Sequence, residues 1–379
     1  MKLNLAYATK LSSLPQRPLH QIVFSNTYSS LYEIKHHSVK PFSIRLKQCI
    51  SKLSLCFYKS FTLTQSQEAP WIINEHLNER INTSLLCFSK KDVNPLVILS
   101  NFYNLNSKLI DYTKVFTDGS RSEEGCGCAA VFPNETLKFK LSSLCSSFFC
   151  EAYAIYKTLN RILQMPFTKY AIFTDSISVL LAMKKYVNVD PLIQQILNIY
   201  FQIITSNKKI IFIWIPSHIG IEGNEKADLA AKEAAKQRFH THPLSSRDIR
   251  RYNNEKVQEM WNDTWKKLQP TKLSHIRSSL NENCQPHLET RRAQTIISRL
   301  RIGHSSLTHR HLLNKSSPPT CFYCNSPASL YHIISQCVHL NHIRLTFNLS
   351  PTYKDNVSKE DQCKRTINFL NHLNITHLI

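Results

Sequence analysis

The stretch "KVFTDGSRSEEGCGCAAVF" (residues 114–132) contains two short apolar runs that are separated by a polar, glycine-containing segment. Residues 115–117 are β-prone and stop at Asp118, and residues 129–132 form the second run. This pattern predicts a β-hairpin with Asp118 at the end of its first strand. An isolated Asp-Gly pair is usually a turn former, because the aspartate bonds its own backbone. The rest of the chain decides whether Asp118 has a further role.

The regular pattern continues beyond the hairpin. Short apolar runs predict strands, and apolar residues at helical spacing predict helices. After the hairpin strands (114–118 and 127–133), we expect strands at 136–142, 170–174 and 210–215, and helices at 148–164, 176–186, 191–206 and 224–237. The order βββαβααβα predicts an α/β domain, with a mixed five-stranded sheet flanked by helices.

Four acidic residues fall at the ends or starts of these elements. Asp118 ends the first strand and Asp175 follows the strand "YAIFT", while Glu151 and Asp228 lie in helices. If the first strand pairs with the fourth, Asp118 and Asp175 emerge side by side at the carboxyl edge of the sheet. Clustered carboxylates repel one another unless cations neutralise them, and their hard oxygens suit Mg²⁺ or Mn²⁺. Two such ions, about 3.5–4 Å apart, can activate a water and stabilise a leaving oxygen.

A histidine precedes the last of these acids. His218 lies in the loop "PSHIGIEGNEKAD" (216–228), which Gly220 and Gly223 make pliable. An imidazole exchanges protons near neutral pH, so His218 is a candidate to protonate a leaving 3′-oxygen or to assist product release.

The motifs "FTDGS", "GCGCAAV", "FFCEAYAI", "AIFTDS" and "IWIPSHIGIEGNEKADLAAKEA" together resemble the type 1 ribonuclease H family over about residues 113–238. The resemblance implies hydrolysis of the RNA strand of an RNA–DNA hybrid to 5′-phosphate and 3′-hydroxyl ends. It also implies that the four acids bind the catalytic metal ions and that His218 is the mobile-loop histidine. Gly119, Ser120 and Asn224 are the expected substrate-binding residues.

One departure from the family concerns substrate affinity. Many cellular members carry a long basic helix where this chain has only "KKYVNVD" (184–190). Residues 113–236 hold 14 Lys/Arg against 11 Asp/Glu, whereas the flanks hold 33 against 15 and give the chain most of its net charge of +21. A basic excess favours nucleic acid as partner, with anionic membranes as the alternative. No apolar run reaches the roughly 18 residues that span a bilayer, so we expect no membrane insertion.

The twelve cysteines are expected to be thiols and metal ligands rather than disulfides. Four residues, Cys321, Cys324, His332 and Cys337, have the spacing C-x2-C-x7-H-x4-C, which suits a structural Zn²⁺ in a knuckle that supports nucleic-acid contact. His339 and His342 leave the fourth ligand open.

The expected organisation is an unassigned basic segment (1–65), a lead-in containing "APW" (66–112), the ribonuclease H domain (113–238), a helical basic region (239–315), the cysteine–histidine module (316–345) and a tail (346–379). This order resembles the C-terminal part of insect-type non-LTR (LINE-type) retrotransposon polyproteins. Those polyproteins carry a reverse transcriptase upstream, whose paired-aspartate motif this chain lacks. We therefore expect a truncated or separated element product, with reverse transcriptase or element RNA as further partners.

Two other functions compete with the nuclease. One is a catalytically inactive nucleic-acid-binding remnant, and the other is an integrase-like relative with similar carboxylate chemistry. Location stays open between nucleus and cytoplasm. The first sixty residues, with nine Lys/Arg, one acid and many serines, also have the composition of a mitochondrial transit peptide.

Overall fold

The computed structural model describes residues 2–24, 40–53, 60–62, 76–88, 93–185, 190–237, 242–268, 270–271, 273–279 and 286–379. The "APW" part of the predicted lead-in lies outside these ranges. The chain divides into two compact units, Met1–Val257 and Gln258–Ile379.

The first unit contains a six-stranded sheet and nine labelled helices among its described residues. In chain order the elements are α1 (Lys2–Ser12), α2 (Pro18–Phe24), α3 (Phe42–Lys52), β1 (Ile81–Asn82), α4 (Pro95–Ser107), β2 (Thr113–Ser122), β3 (Gly125–Val131), β4 (Thr136–Leu141), α5 (Ser147–Gln164), β5 (Lys169–Thr174), α6 (Ile177–Met183), α7 (Pro191–Thr205), β6 (Lys209–Trp214), α8 (Glu222–Lys236) and α9 (Ser246–Lys267), which runs past the boundary at Val257.

The predicted element order βββαβααβα is confirmed for β2 to α8. The sheet order is β1-β6-β5-β2-β3-β4, so the first predicted strand does lie beside the fourth. Strands β2, β5 and β6 run parallel to one another. Strand β3 pairs antiparallel with β2, and β4 pairs antiparallel with β3. The predicted count of five strands was one too few, because the two-residue β1 pairs with β6 and is too short to give an alternating pattern.

Both faces of the central sheet are buried. In β5, Tyr170 and Ile172 join a core with helices α5 and α7, while Ala171 and Phe173 join a second core with α4. Because side chains alternate between faces, burial on both sides produces the continuous apolar run seen in the sequence. These cores fix the strands whose ends carry the acidic residues.

Two long helices that pack on the sheet, α5 and α7, start at polar caps. The Ser146 side chain accepts a hydrogen bond from the backbone N of Phe149 at the start of α5. The Asp190 side chain accepts from Leu192 N at the start of α7, and Pro191 occupies the first turn as predicted. Caps of this kind satisfy the backbone donors that a helix start leaves unpaired. They set where α5 begins, and therefore where Glu151 lies.

The N-terminal segment, which had no predicted fold, is helical where it is described. Leu5, Leu11 and Leu46, from α1 and α3, pack in one apolar cluster with Val257 of α9. Asn253 of α9 also donates a hydrogen bond to the hydroxyl of Thr9. Burial of apolar side chains thus joins the start of the chain to the helix that follows the sheet domain.

The second unit is mainly helical. Its elements are α10 (Arg291–Ile302), α11 (Ser306–Asn314), a π-helical turn (His332–Gln336), α12 (Asn341–Thr346), α13 (Tyr353–Ser358) and α14 (Glu360–His372). Its core includes Leu300, Ile334, Leu340, Phe369 and Leu370. In the part of the chain that the structure covers, no helix combines the length and the apolar character needed to cross a membrane.

Candidate active site and candidate metal centre

Asp118 lies inside β2, where one of the strand's two pairings ends. The parallel pairing with β5 stops at Thr117↔Thr174, whereas the antiparallel pairing with β3 continues through Asp118↔Ala129 to Ser122↔Gly125. The prediction that Asp118 ends its strand was therefore wrong, because pairing with β3 keeps the chain extended for four more residues. Asp175 follows Thr174 directly, so the two aspartates are adjacent across the edge of the parallel part of the sheet.

The surroundings of Asp118 disfavour a negative charge on it. Its exposed fraction is 9%, and the one contact that opposes this trend is a 2.7 Å hydrogen bond that a carboxylate oxygen accepts from the backbone N of Gly119. Burial, followed by the charge of Asp175, raises the pKa of the Asp118 carboxyl to about 7. Asp228 and Glu151 contribute in the same direction, so the charges of the other three predicted acids all raise the pKa of Asp118.

Glu151 comes from the second turn of α5, directly above β2. Burial, with a further contribution from Asp175, raises its pKa to about 7, although a hydrogen bond with Ser176 partly offsets this. Helix α5 can lie this close to β2 because residue 119 is a glycine. A Cβ at this position would overlap the backbone of Cys150 and Glu151. Gly119 thus has a packing role, and its predicted contact with substrate stays a prediction.

Asp175 is held in place through its backbone. Its carbonyl oxygen accepts a 3.0 Å hydrogen bond from the indole N–H of Trp214, the last residue of β6. The following residue, Ser176, is buried and donates its backbone N–H to the Thr174 hydroxyl. The turn after β5 is therefore fixed on both sides.

Asp228 has two neighbours that the sequence analysis did not single out. A ligand atom of each of His218, Glu225 and Asp228 lies within 4.8 Å of the others, and Lys232 forms a 2.7 Å ion pair with Asp228. Glu225 and Lys232 are three residues before and four residues after Asp228. This is the spacing at which side chains meet on one helix face, and it was the signal that could have identified them.

The predicted loop histidine is exposed and close to the acids. His218 has a φ of 53°, and Gly220 has a φ of 86°. Ile219 and Ile221 are buried and anchor the loop.

Ser120 is part-exposed on β2. Asn224 is only 2% exposed, and its side-chain oxygen accepts no hydrogen bond from the described residues. The predicted contacts of Ser120 and Asn224 with substrate remain predictions.

The acidic cluster suits divalent cations. Asp118 and Glu151 are buried carboxyls whose proton affinity is raised by neighbouring carboxyls, and a bound cation removes that repulsion. Among the described residues, the acid-containing group with all ligand atoms within 4.8 Å is His218, Glu225 and Asp228. Asp118, Glu151 and Asp175 do not form a group in which every ligand atom lies within 4.8 Å of the other two.

The cysteine–histidine cluster of the second unit has the geometry of a metal centre. One ligand atom from each of Cys321, Cys324, His332 and Cys337 lies within 4.8 Å of the others. Cys324 Sγ is 3.1 Å from His332 Nε2, and the Sγ atoms of Cys321 and Cys337 are 3.9 Å apart. Three thiols and one imidazole form a donor set that zinc accepts.

Local backbone structure brings these four side chains together. Cys321 donates its backbone N–H to Ser326 and accepts from Asn325, which has a φ of 59°, so the first two cysteines lie on a tight turn. Cys337 donates its backbone N–H to the His332 carbonyl over five residues, which closes the π-helical turn. Hydrogen bonds from Ser326 are the main cause that lowers the pKa of the Cys324 thiol to about 6 and favours the thiolate.

The first unit thus has a mixed sheet flanked by helices, with acidic residues at the edge where the parallel pairing of β2 and β5 ends. Residues 111–236 match the family model of RNase H. This segment is an RNase H domain, which supports the predicted type 1 ribonuclease H family and indicates ribonuclease H hydrolase activity on RNA–DNA hybrids. No curated protein matches the chain.

Proposed function

We propose that the protein is an endoribonuclease that uses two metal ions to hydrolyse the RNA strand of an RNA–DNA hybrid, leaving 5′-phosphate and 3′-hydroxyl ends. The observation that carries the proposal is the adjacency of Asp118 and Asp175 at the end of the β2–β5 pairing, with Glu151 above them. Carboxylates placed so closely at an open sheet edge are costly to ionise without a cation.

In this proposal Asp118, Glu151, Asp175 and Asp228 hold two Mg²⁺ or Mn²⁺ ions. Such ions, when bound, make water more acidic and neutralise charge on a phosphodiester. The protein's own contribution is orientation. The β2–β5 register fixes Asp118 and Asp175, the cap at Ser146 fixes Glu151, and α8 presents Asp228.

His218 is proposed as the group that gives a proton to the leaving 3′-oxygen. It is exposed on a loop, and its ring lies near Glu225 and Asp228, within reach of the proposed metal site. Substrate choice would follow from the 2′-hydroxyl, which distinguishes the RNA strand from the DNA strand. Gly119, Ser120 and Asn224 are the proposed contacts to the hybrid.

The remaining proposals concern the flanks. We propose a structural Zn²⁺ held by Cys321, Cys324, His332 and Cys337, and nucleic-acid binding by the basic regions outside the nuclease domain. A retrotransposon origin, with reverse transcriptase or element RNA as partners, rests on the resemblance in domain order alone.

The test is a cleavage assay with the full chain, Mg²⁺ and a labelled RNA–DNA hybrid. Wild type should cut the RNA strand and leave the DNA strand intact, and Asp118→Asn should abolish cutting while retaining hybrid binding. Cutting that survives in the variant would refute the assignment. Salt-sensitive binding by wild type without cleavage would favour the inactive remnant, and DNA strand transfer would favour an integrase-like enzyme.

A further inference from the structure

Asp248 is the most deeply buried acidic residue in the part of the chain that the structure describes. It is 1% exposed, compared with 9% for Asp118. It lies in the first turn of α9, outside the residues that match the RNase H family model. Removing a carboxylate from water is costly, and an apolar side chain of similar size is often as good for stability. The contacts of Asp248 therefore indicate what its carboxylate provides.

One carboxylate oxygen of Asp248 binds the residue that caps α5. The Ser146 hydroxyl donates a 3.3 Å hydrogen bond to Asp248 Oδ2, and the same hydroxyl oxygen accepts a 3.3 Å hydrogen bond from the backbone N of Phe149. A hydroxyl has one proton to donate, so the bond to Asp248 directs that proton away from the helix and leaves an oxygen lone pair for the helix N–H. The carboxylate thus orients the cap of α5.

Asp248 is itself held in place by its neighbours. Its backbone N–H donates a 3.0 Å hydrogen bond to Ser245 Oγ, and Arg251 forms a 3.5 Å ion pair with its Oδ1 atom. The Arg251 guanidinium also donates a hydrogen bond to the Leu144 carbonyl, in the turn directly before α5. Asp248 and Arg251 therefore hold the chain at the start of α5 from one face of α9.

The chain between α8 and α9 packs against the same part of α5. Ser142 donates its backbone N–H to His242 Nε2 over 2.9 Å, and the His242 ring stacks on Phe149 with the ring centroids 5.8 Å apart. Leu244 and Ile249 are buried in the core that also contains Phe149. The residues that follow the family match are therefore built onto the start of α5.

We propose that Asp248 is a positioning residue of the nuclease, which acts through the Ser146 cap to hold Glu151 at the metal site. The inference rests on the proposed function, because that function makes Glu151 a metal ligand. Glu151 follows the cap in the second turn of α5, so a change at the helix start moves its carboxylate relative to Asp118 and Asp175. Residues that orient metal ligands commonly change the affinity for the metal when they are replaced.

The test compares Asp248→Ala with wild type in the full chain. The Mg²⁺ concentration for half-maximal hybrid cleavage should rise about tenfold, because a metal ligand is displaced. The KM for the hybrid should change less than about twofold, since no substrate contact is removed. Hydrogen exchange at the backbone amides of residues 149–151 should become faster. Asp248→Asn keeps an oxygen that accepts from Ser146 and should restore most of the loss.

Two variants on the same helix separate positioning from a general loss of stability. Asn253→Ala removes a buried hydrogen bond to Thr9, a contact that does not involve α5. It should lower the melting temperature without changing the Mg²⁺ requirement. Glu255→Ala removes the other acidic partner of Arg251 and should leave the Mg²⁺ requirement unchanged as well.

Ser146→Ala tests the route of the effect. If Asp248 acts through the cap, Ser146→Ala should raise the Mg²⁺ requirement by itself, and adding Asp248→Ala should raise it little further. Effects that multiply in the double variant would overturn the proposed route. An unchanged Mg²⁺ requirement in Asp248→Ala, or an equal rise in Asn253→Ala, would overturn the positioning role.

Failure of the proposed function would be visible in wild type alone. Wild type that neither cuts the hybrid nor gains melting temperature with Mg²⁺ would refute the metal-dependent nuclease, and this inference with it. If wild type binds Mg²⁺ without cutting, the Mg²⁺ concentration that gives half of the rise in melting temperature replaces cleavage as the measurement. Equal values for wild type and Asp248→Ala would then refute the positioning role.

Discussion

Asp118 and Asp175 stand side by side because β2 and β5 are paired in parallel up to Thr117↔Thr174 and no further. Burial and the charge of Asp175 raise the pKa of Asp118 to about 7, and burial raises that of Glu151 to about 7. In the unfolded chain both carboxyls return to their ordinary values of about 4. This difference between the folded and unfolded states has consequences for stability and for metal binding.

The first prediction concerns pH and metal. Between about pH 4 and 7 the folded protein holds more protons at Asp118 and Glu151 than the unfolded chain, so its stability falls as pH rises. Without divalent metal, the melting temperature of wild type should therefore drop relative to Asp118→Asn between pH 5 and pH 8. Adding Mg²⁺ at pH 8 should stabilise wild type by several degrees and the variant by less. A difference between the two proteins that does not change with pH would contradict this explanation.

The second prediction concerns Gly119. Because a Cβ at this position would overlap the backbone of α5 at Cys150 and Glu151, Gly119→Ala should displace the helix that carries Glu151. We expect a loss of about 1–3 kcal/mol in unfolding free energy, together with a large fall in kcat. Urea denaturation and the hybrid-cleavage assay measure the two effects.

Gly220→Ala provides the control for this change. Its Cβ would meet no atom within 4 Å, but its φ is 86°, so only backbone strain of about 1 kcal/mol is expected. If both alanine variants lost activity equally, close packing against α5 would not be the reason that Gly119 matters.

Much of the nuclease domain could be predicted from the sequence because its signals are local. The burial of β5 on both faces makes "YAIFT" a continuous apolar run, and the amphipathic helix at 148–164 has helical spacing. The position of Asp118 within β2 could not be predicted, since it depends on where β2 stops pairing with β5 and continues with β3. Strand β1 could not be predicted for a similar reason, because its two residues become a strand only by pairing with β6.

The site shows the same division. The four acids could be proposed from the sequence because they follow apolar runs or fall in helical patterns, and the i, i+4 ion pair of Asp228 with Lys232 could have been proposed from its spacing. The approach of His218 to Glu225 and Asp228 could not, because it depends on the path of the loop before α8.

The third prediction concerns zinc. We expect the purified chain to contain about one zinc per molecule, and Cys337→Ser to lose it, because Cys337 contributes one of the four ligand atoms. Cys363→Ser is the matched control, since Cys363 is also a fully buried thiol of the second unit but lies outside the cluster. Both variants should be less stable, but only Cys337→Ser should lose metal in elemental analysis. Equal zinc content in the two variants would rule out Cys337 as a ligand.

The fourth prediction concerns the ion pair at Asp228. Lys232 occupies this carboxylate at 2.7 Å and must release it, at least in part, when a cation binds there. Lys232→Met removes both the competing ammonium and a nearby positive charge, so the Mg²⁺ concentration that gives half-maximal cleavage should fall about two- to fivefold, in line with an ion pair near the surface. Lys226→Met is the matched control, because Lys226 forms an equivalent pair with Glu222 on the same helix but away from the acidic cluster. A similar fall in both variants would show that the effect comes from net charge, and no fall in either would show that Asp228 does not bind the activating metal.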